Sequence, residues 1–597
     1  MNIRNSLGLS VDFLDNGSLQ SIAAGPVLIS LKTTTLFSKS GANIWLRKRK
    51  NPIESVALLG PESNSRFMFK GSSFIAAGSW EELNYTCVLQ LSEKSLSWRW
   101  IVEIENTSRE AADLDLIYVQ DVGLKAVSSG LVNEYYVSQY IERRILEDKK
   151  HGQAVCCRQN MKESAGYPWV MIACKNRALS ASVDGMQFYG KTYRETGIPE
   201  ALLAETLGGE LSGESSVAAL QEQPFRISAR SRHESMFYAT CIPDHAVATS
   251  EDDLKRLPDI FSEFDRPELP VELKDLTLPV RNMFNTSPFL PIEDLTDGEL
   301  ENFFGSEWRH AETKDGRLLS FFCRENDHVM LRLKETLADR PHGHIMQAET
   351  GYTPDENMMS TTAFAFGVFN SHLSQGNTNF NVLLSICSSQ FNLSPETGQR
   401  VFVTVDGRQY LLGIPSAFEM GLNHCRWIYK HGDHVFQLRT WTSKKAPQVN
   451  MDFRVISGSM VKLMIAHHFD DLNGWSITPG NNSAEFVALP QEGSMIKSKF
   501  PHARFRIEIS TCEAGFKAYG DEALFDNRKN HGSSLFVLDL QETSAFCMSF
   551  LGEVSASADF VKIENADSQW LSENRDAQVV WQNLSLNLSL KGTHEDV

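Results

Sequence analysis

Strict alternation of bulky and polar residues recurs along the chain and does most to limit what it can fold into. It is clear in SLSWRWIVEIEN (Ser95–Asn106), DLDLIYVQDV (Asp113–Val122), MLRLKE (Met330–Glu335), VKLMIAHHF (Val461–Phe469), ARFRIEIST (Ala503–Thr511) and NLSLNLSL (Asn583–Leu590). A period of two puts successive side chains on opposite faces of an extended strand, so these stretches predict strands with one core face and one wet face. In RVFVTVDGRQYLLGI (Arg400–Ile414) the pair Asp406-Gly407 lies between two such runs, a hairpin signal because both turn positions need positive φ. A second hairpin is predicted near Gly432 in WIYKHGDHVFQLRTW (Trp427–Trp441). The bulk of the chain therefore reads as antiparallel β.

Helix signals concentrate in one region. Ser250 with Asp253, and Thr296 with Glu299, have capping-box spacing, in which each member satisfies a free amide of the other at a helix start. Residues 258–291 hold six of the 21 prolines, and residues 250–301 carry 14 acidic against five basic side chains. Proline removes ladder donors and charges resist burial, which places a boundary here. The fold class is all-β: two large antiparallel β-sandwich domains, of the many-stranded supersandwich kind, joined by a short helical, proline-rich acidic connector. The expected limits are 1–245 for the first sandwich, 246–310 for the connector and 311–597 for the second. The polar run SADFVKIENADSQWLSENRDAQ (Ser557–Gln578) reads as a long loop.

A net charge of −18 and a pI near 5.4, with no basic cluster, oppose binding to nucleic acid or an anionic membrane. No stretch approaches a membrane span, and the N-terminus lacks an apolar run with a cleavage site, so a cytoplasmic location is expected. Ten scattered cysteines form no CxxC pair and read as reduced, buried side chains. P-loop, GxSxG and HExxH motifs are absent, and LGGELSGES (Leu207–Ser215) reads as a surface loop.

Candidate chemistry is sparse. ADRPHGHIM (Ala338–Met346) carries His342 and His344 at strand spacing, compatible with a shared metal, a dyad or a piece of sheet. The adjacent His467 and His468 would face opposite sides of a strand and cannot chelate together. Glycoside chemistry uses paired carboxylates, which makes Asp121, Glu134 and Glu419 the catalytic candidates, with turn or strand-flanking roles as the alternative. NEYYVSQY (Asn133–Tyr140) and NHCRWIYKHGDH (Asn423–His434) combine aromatics with polar groups, as sugar sites and sandwich cores both do.

Several segments together resemble a known family: LDLIYVQDVGL (Leu114), NEYYVSQYI (Asn133), CRQN (Cys157–Asn160), LLSFFCRENDHVMLR (Leu318), DRPHGHI (Asp339), GNTNFN (Gly376–Asn381) and LLGIPSAFE (Leu411). Across nearly the whole chain they are similar to the N-terminal β-sandwich region of bacterial 1,2-β-oligoglucan phosphorylases, glycoside hydrolase family 94. The resemblance implies sandwich domains that precede a helical linker and an (α/α)6 barrel. In the family the barrel holds the aspartate general acid and most of the phosphate site, and performs inverting phosphorolysis of β-1,2-glucans. No such barrel is expected in this chain, so no family catalytic residue transfers to it. The resemblance covers Arg340, Pro341, His342 and Gly343 but does not require His344, which weakens a two-histidine metal site; no metal and no cofactor are expected.

The resulting expectation is a non-catalytic half or subunit that binds β-1,2-glucan oligosaccharides and associates with a separately encoded barrel. Inorganic phosphate would then be a co-substrate only in the barrel's presence. Sugar contacts are expected at Arg340, His342, Asn377, Asn379 and Trp427. The alternative is a stand-alone hydrolase or transglycosylase using carboxylates on a sandwich face; a relic or truncated piece is a third reading.

Overall fold

The computed structural model describes residues 1–126, 134–211, 213, 215–264, 276–324, 326–348, 355–376, 381–512, 515–555 and 557–584. The chain divides into two compact units. The first is Met1–Thr286 with Ser388–Pro395 and Leu524–Asn527; the second holds the remainder. Both are built from sheets whose described strand pairs are antiparallel throughout except where Gly152 meets Ala178 in parallel.

In the first unit a five-stranded sheet (Asn2–Arg4, Leu9–Phe13, Leu19–Ala24, Val27–Leu28 and Lys125–Ala126) packs on a 14-stranded one. Phe13, Leu19 and Ile22 of the small sheet share one core with Phe74, Leu89, Trp98 and Trp100 of the large sheet. The strand Ala112–Asp121 shows the alternation at work. Leu114, Leu116 and Tyr118 enter that core, whereas Ile117 and Val119 enter a second cluster with Phe188, Tyr189, Tyr193 and Leu202. Its opposite face is therefore not wet: short helices and the turn Glu200–Leu203 cover it. This corrects the one-wet-face expectation and explains the unbroken apolar run LIYV, the mark of a strand buried on both sides.

In the second unit an 11-stranded sheet packs on a three-stranded sheet (Gly343–Ala348, Met359–Phe364, Val368–Gln375) and a five-stranded sheet. Its core draws Trp427, Tyr429, Phe436 and Phe550 from the large sheet, Met346 and Phe369 from the three-stranded sheet, and Val401, Leu463 and Leu538 from the five-stranded sheet. The hairpins form where the sequence puts them. Val405 pairs with Arg408 across Asp406 (φ 50°) and Gly407 (φ 76°), and His431 pairs with His434 beside Gly432 (φ 56°). His467 is buried while His468 faces the other side, toward the Ser385 hydroxyl.

Short helices occupy 251–262 and 283–286, and Asp297–Phe304 starts with the Thr296/Glu299 capping box. The Ser250 amide donates to Asp253 as its spacing predicts. Two expectations fail. MLRLKE is strand only through Leu331, after which Arg332–Leu337 is a helix. The polar run near the C-terminus is not a loop: Ala566–Leu584 is a helix, capped by Asn565 accepting from the Ser568 amide. NLSLNLSL lies mostly outside the described residues. The cysteine side chains described are all free, eight of them buried.

Candidate functional site

Four strands of the 11-stranded sheet each set a charge between buried or half-buried neighbours: Glu419 between Phe418 and Met420, Arg426 between Cys425 and Trp427, Arg439 between Leu438 and Thr440, and Asp452 between Met451 and Phe453. The register pairs Glu419 with Arg426, Arg426 with Arg439, and Arg439 with Asp452. Because alternate residues share a face, the four charges form one cross-strand row on the side away from the core. Every member of the row is buried.

Two helices cover the row. Asp297–Phe304 sends Phe304 against Phe321, and the Arg426 guanidinium lies 4.8 Å from the Phe304 ring centre. Ala566–Leu584 sends Trp570 over the middle of the row, 5.6 Å from Arg426 and 5.1 Å from Arg439. Cation–π contact and exclusion of water both favour this arrangement of guanidinium and indole. Glu573, one turn on, accepts from the Ser443 hydroxyl (2.9 Å) and the Lys444 amide (2.8 Å). Asp567 pairs with Arg439 at 2.9 Å and Arg454 at 2.6 Å. The side of the helix that docks is Ala566, Trp570, Glu573 and Ala577, a helical spacing whose members are too polar and too small to read as an apolar stripe.

At one end of the row sits a tighter constellation. Glu419 Oε2 accepts from Arg426 Nε at 2.9 Å, and Oε1 accepts from His424 Nε2 at 2.9 Å and from Arg324. Asp327 Oδ2 accepts from Arg324 Nε at 2.6 Å, and its other oxygen is 4.0 Å from His424. Burial alone would raise the Glu419 carboxyl, but Arg426, His424 and Arg324 outweigh it and hold the group well below the usual carboxylate range. His344 packs against the Gly421–Leu422 turn, and burial pushes its imidazole down. His424 Nδ1 and His344 Nε2 are buried with no hydrogen-bond partner among the described residues.

Asp327, Glu419 and His424 present ligand atoms within 4.8 Å of one another, compact enough for a cation. Both carboxylates already neutralise Arg324, and Glu419 also neutralises Arg426, so a cation would have to displace an arginine. The donor set fits an ion-pair network better than a metal centre. Permanently ionised and inaccessible, Glu419 can position Arg426 and His424 but cannot donate a proton near neutral pH.

The other sequence candidates scatter. Asp121 is buried in the first unit, where Oδ2 accepts from the Leu31 and Lys32 amides at 3.0 Å and Oδ1 from Gln120 at 3.0 Å. Burial raises its carboxyl against those hydrogen bonds. Gly41 lies against the Asp121 carboxyl so closely that a Cβ would meet it at 2.2 Å, which leaves no approach for a sugar from that side. Glu134 begins a short helix, Glu134–Gln139, and its side chain lies outside what is described. Asn377 and Asn379 lie outside the described residues.

Arg340 is exposed, and His342 is half-buried with Nδ1 at 2.7 Å from the fully buried Glu335. His342 precedes the strand Gly343–Ala348, and its partner differs from that of His344, so the two rings do not form a pair. That strand is an edge of its sheet, and Gly343 lies so near Phe364 that a Cβ would stand 2.5 Å from its ring. Trp427 is fully buried, its ring centre 5.0 Å from Phe369 and from Phe418 and its Nε1 donating to Phe364 O at 3.2 Å. It offers no face to a sugar, which corrects its assignment as a binding residue: Arg426 faces the row, so its neighbour in sequence must face the core.

Comparison with known proteins supplies the context. Residues 12–239 match the SOGP N-terminal domain, and residues 306–552 match the glycoside phosphorylase supersandwich domain. A 1,2-beta-oligoglucan phosphorylase from Listeria innocua serovar 6a is 24% identical over 547 residues. That alignment takes in 90% of this chain and 48% of the relative, so the chain spans about half the length of this curated relative. Among solved structures, a polysaccharide lyase (6% identity, 76% of this chain and 45% of that one, TM-score 0.26) bears a distant likeness. So does a bacterial glucoamylase complexed with acarbose (9% identity, 44% and 33%, TM-score 0.29). Likeness at that level carries no argument about this chain. The two domain matches and the long alignment do: the chain is a sandwich region related to glycoside hydrolase family 94, an SOGP N-terminal domain followed by a glycoside phosphorylase supersandwich domain.

Proposed function

We propose that this chain is the sandwich half of a β-1,2-glucan oligosaccharide phosphorylase-like system. It binds the oligosaccharide and associates with an (α/α)6 barrel carried on a separate chain, in the cytoplasm. The observation that carries this reading is the ordered match of both sandwich domains, which aligns nearly all of this chain with about half of an oligoglucan phosphorylase. The burial of Asp121 and Glu419 supports a barrel as the source of the general acid, because a glycosidase carboxyl must reach the scissile bond. Inorganic phosphate is then the barrel's co-substrate. No described helix is long and apolar enough to cross a membrane.

The test combines the purified chain, the barrel protein, β-1,2-gluco-oligosaccharides and phosphate, and follows glucose 1-phosphate. Release in the mixture and not from the chain alone is expected. Absence of both product and a complex on size-exclusion chromatography overturns the reading. Turnover by the chain alone would instead favour a stand-alone glycosidase.

A further inference from the structure

The second unit holds a cleft of about 510 Å³ between two free sheet edges. One wall is Ser476–Pro479, the last strand of the 11-stranded sheet; the other is Phe516–Tyr519, the last strand of the five-stranded sheet. Trp475, Phe486 and Phe536 give the cleft an aromatic floor, with Phe486 and Phe536 spanning the two sheets at 5.0 Å between ring centres. Tyr519, 36% exposed, stands at the mouth.

The rim is polar and has bonding capacity to spare. Glu522 spends Oε1 on the Gly520 amide at 3.1 Å, while the hydroxyls of Ser533, Ser534 and Tyr519 have no hydrogen-bond partner among the described residues. Aromatic faces over an apolar floor, with a carboxylate and hydroxyls at one edge, match a pyranose, whose C–H face is apolar and whose periphery is hydroxyl. The volume falls in the range of small-molecule sites, roughly 300–1,000 Å³. Strand addition by a peptide is the other use of a free edge, and here it is discouraged: Pro479 lacks an amide donor and Lys517 puts a charge on the opposite edge.

We infer that this cleft is a carbohydrate subsite for a short, neutral β-linked gluco-oligosaccharide, with Tyr519 and the aromatic floor stacking on sugar rings and Glu522, Ser533 and Ser534 accepting or donating at hydroxyls. The sugar class rests on the function proposed above; the existence of the site rests on the cleft. Binding of β-1,2-linked gluco-oligosaccharides to the full chain by calorimetry tests it, with Trp475 fluorescence as a second readout. Tyr519→Ala and Glu522→Gln are each expected to weaken binding about tenfold, and Tyr519→Phe, which keeps the ring and loses one hydroxyl, about threefold. Unaltered melting temperatures would show that the variants fold.

Sugar binding that all three variants leave unchanged overturns the subsite and leaves the phosphorylase-like reading standing. No sugar binding, together with glucose 1-phosphate release when the barrel is added, does the same. No binding and no complementation removes both. Capture of an extended peptide at the cleft in place of sugar overturns the subsite as well.

Discussion

Each unit buries an ion pair on the outer face of its large sheet, and the two are finished differently. In the first, Arg47 and Asp115 are both wholly buried and joined through two contacts of 2.7 Å. The remaining Arg47 nitrogen donates to the carbonyls of Ala201, Leu202 and Ala204, and Arg49 and Gln221 complete the carboxylate. No side-chain nitrogen or oxygen of Arg47 or Asp115 is left without a partner, and the pair pins the covering turn to the sheet. In the second, the Glu419–Arg426–Arg439–Asp452 row is similarly covered, yet His424 Nδ1, His344 Nε2, Trp570 Nε1 and Trp441 Nε1 are buried with no hydrogen-bond partner among the described residues. A closed network is a staple. One with spare donors and acceptors under a helix has chemical capacity the fold does not use.

The largest effect is expected where the network is closed. Asp115→Ala leaves Arg47 and Arg49 without their carboxylate, Arg47 with no exposed route to water, and should cost the first unit about 4 to 5 kcal/mol. Hydrogen exchange along Ala112–Asp121 measures it. Protection like wild type would mean that the pair is not the staple described.

Glu419→Ala should cost the second unit less, about 3 kcal/mol, because Arg324 is 38% exposed and can turn to solvent. Its pH signature has a definite sign. A carboxylate held below its unfolded value of about 4.3 contributes stability that is complete above that value and disappears as pH falls through the folded one. The acid unfolding of Glu419→Gln should lack this component; identical acid limbs would refute the ion-paired state.

A buried histidine in the second unit's core gives the same sign at higher pH, with the neutral rather than the charged form held. His467 Nδ1 donates to Phe536 O at 3.0 Å and Nε2 accepts from Gln399 at 3.1 Å, so the ring is held neutral and burial pulls its pKa down to about 4. The unfolded chain takes up the proton near 6.5, so stability is complete above that pH and is lost as pH falls toward 4, by about 2 to 3 kcal/mol. His467→Asn should flatten the slope of stability between those limits. An unchanged slope would exclude His467 as its source.

These networks also show what the sequence made legible. Alternation gave the strands, Asp406-Gly407 the hairpin, and adjacency of His467 and His468 their opposite faces, because each depends on neighbours in sequence. The charged row was readable in principle as four strands that each set a charge among mostly apolar neighbours, but its pairing needs a register that no single strand contains. Trp427 failed as a sugar residue for the same reason: beside Arg426 it looked like part of a polar-aromatic site, and one step along a strand is the other face of the sheet. The helix Ala566–Leu584 escaped because its docking side is carried by Trp570, Glu573 and Ala577, with the charge of Glu573 buried and that of Asp567 paired only by what they meet.

That helix supplies the finest test of the difference between the two covers. The turn over Arg47 is held by carbonyls fixed directly to the guanidinium, whereas the helix over Arg426 and Arg439 must first be a helix. Asn565 starts it by accepting from the Ser568 amide at 2.9 Å. Asn565→Ala removes the cap at a cost of about 1 kcal/mol, close to a fivefold rise in exchange of the helical amides that follow. The strand amides beneath, in Ala545–Glu553, should keep their protection, because their ladder with Gln448–Ser457 does not involve the helix backbone. If helix and strand amides rise together, the cover and the sheet open as one unit, and the second network is as much a staple as the first.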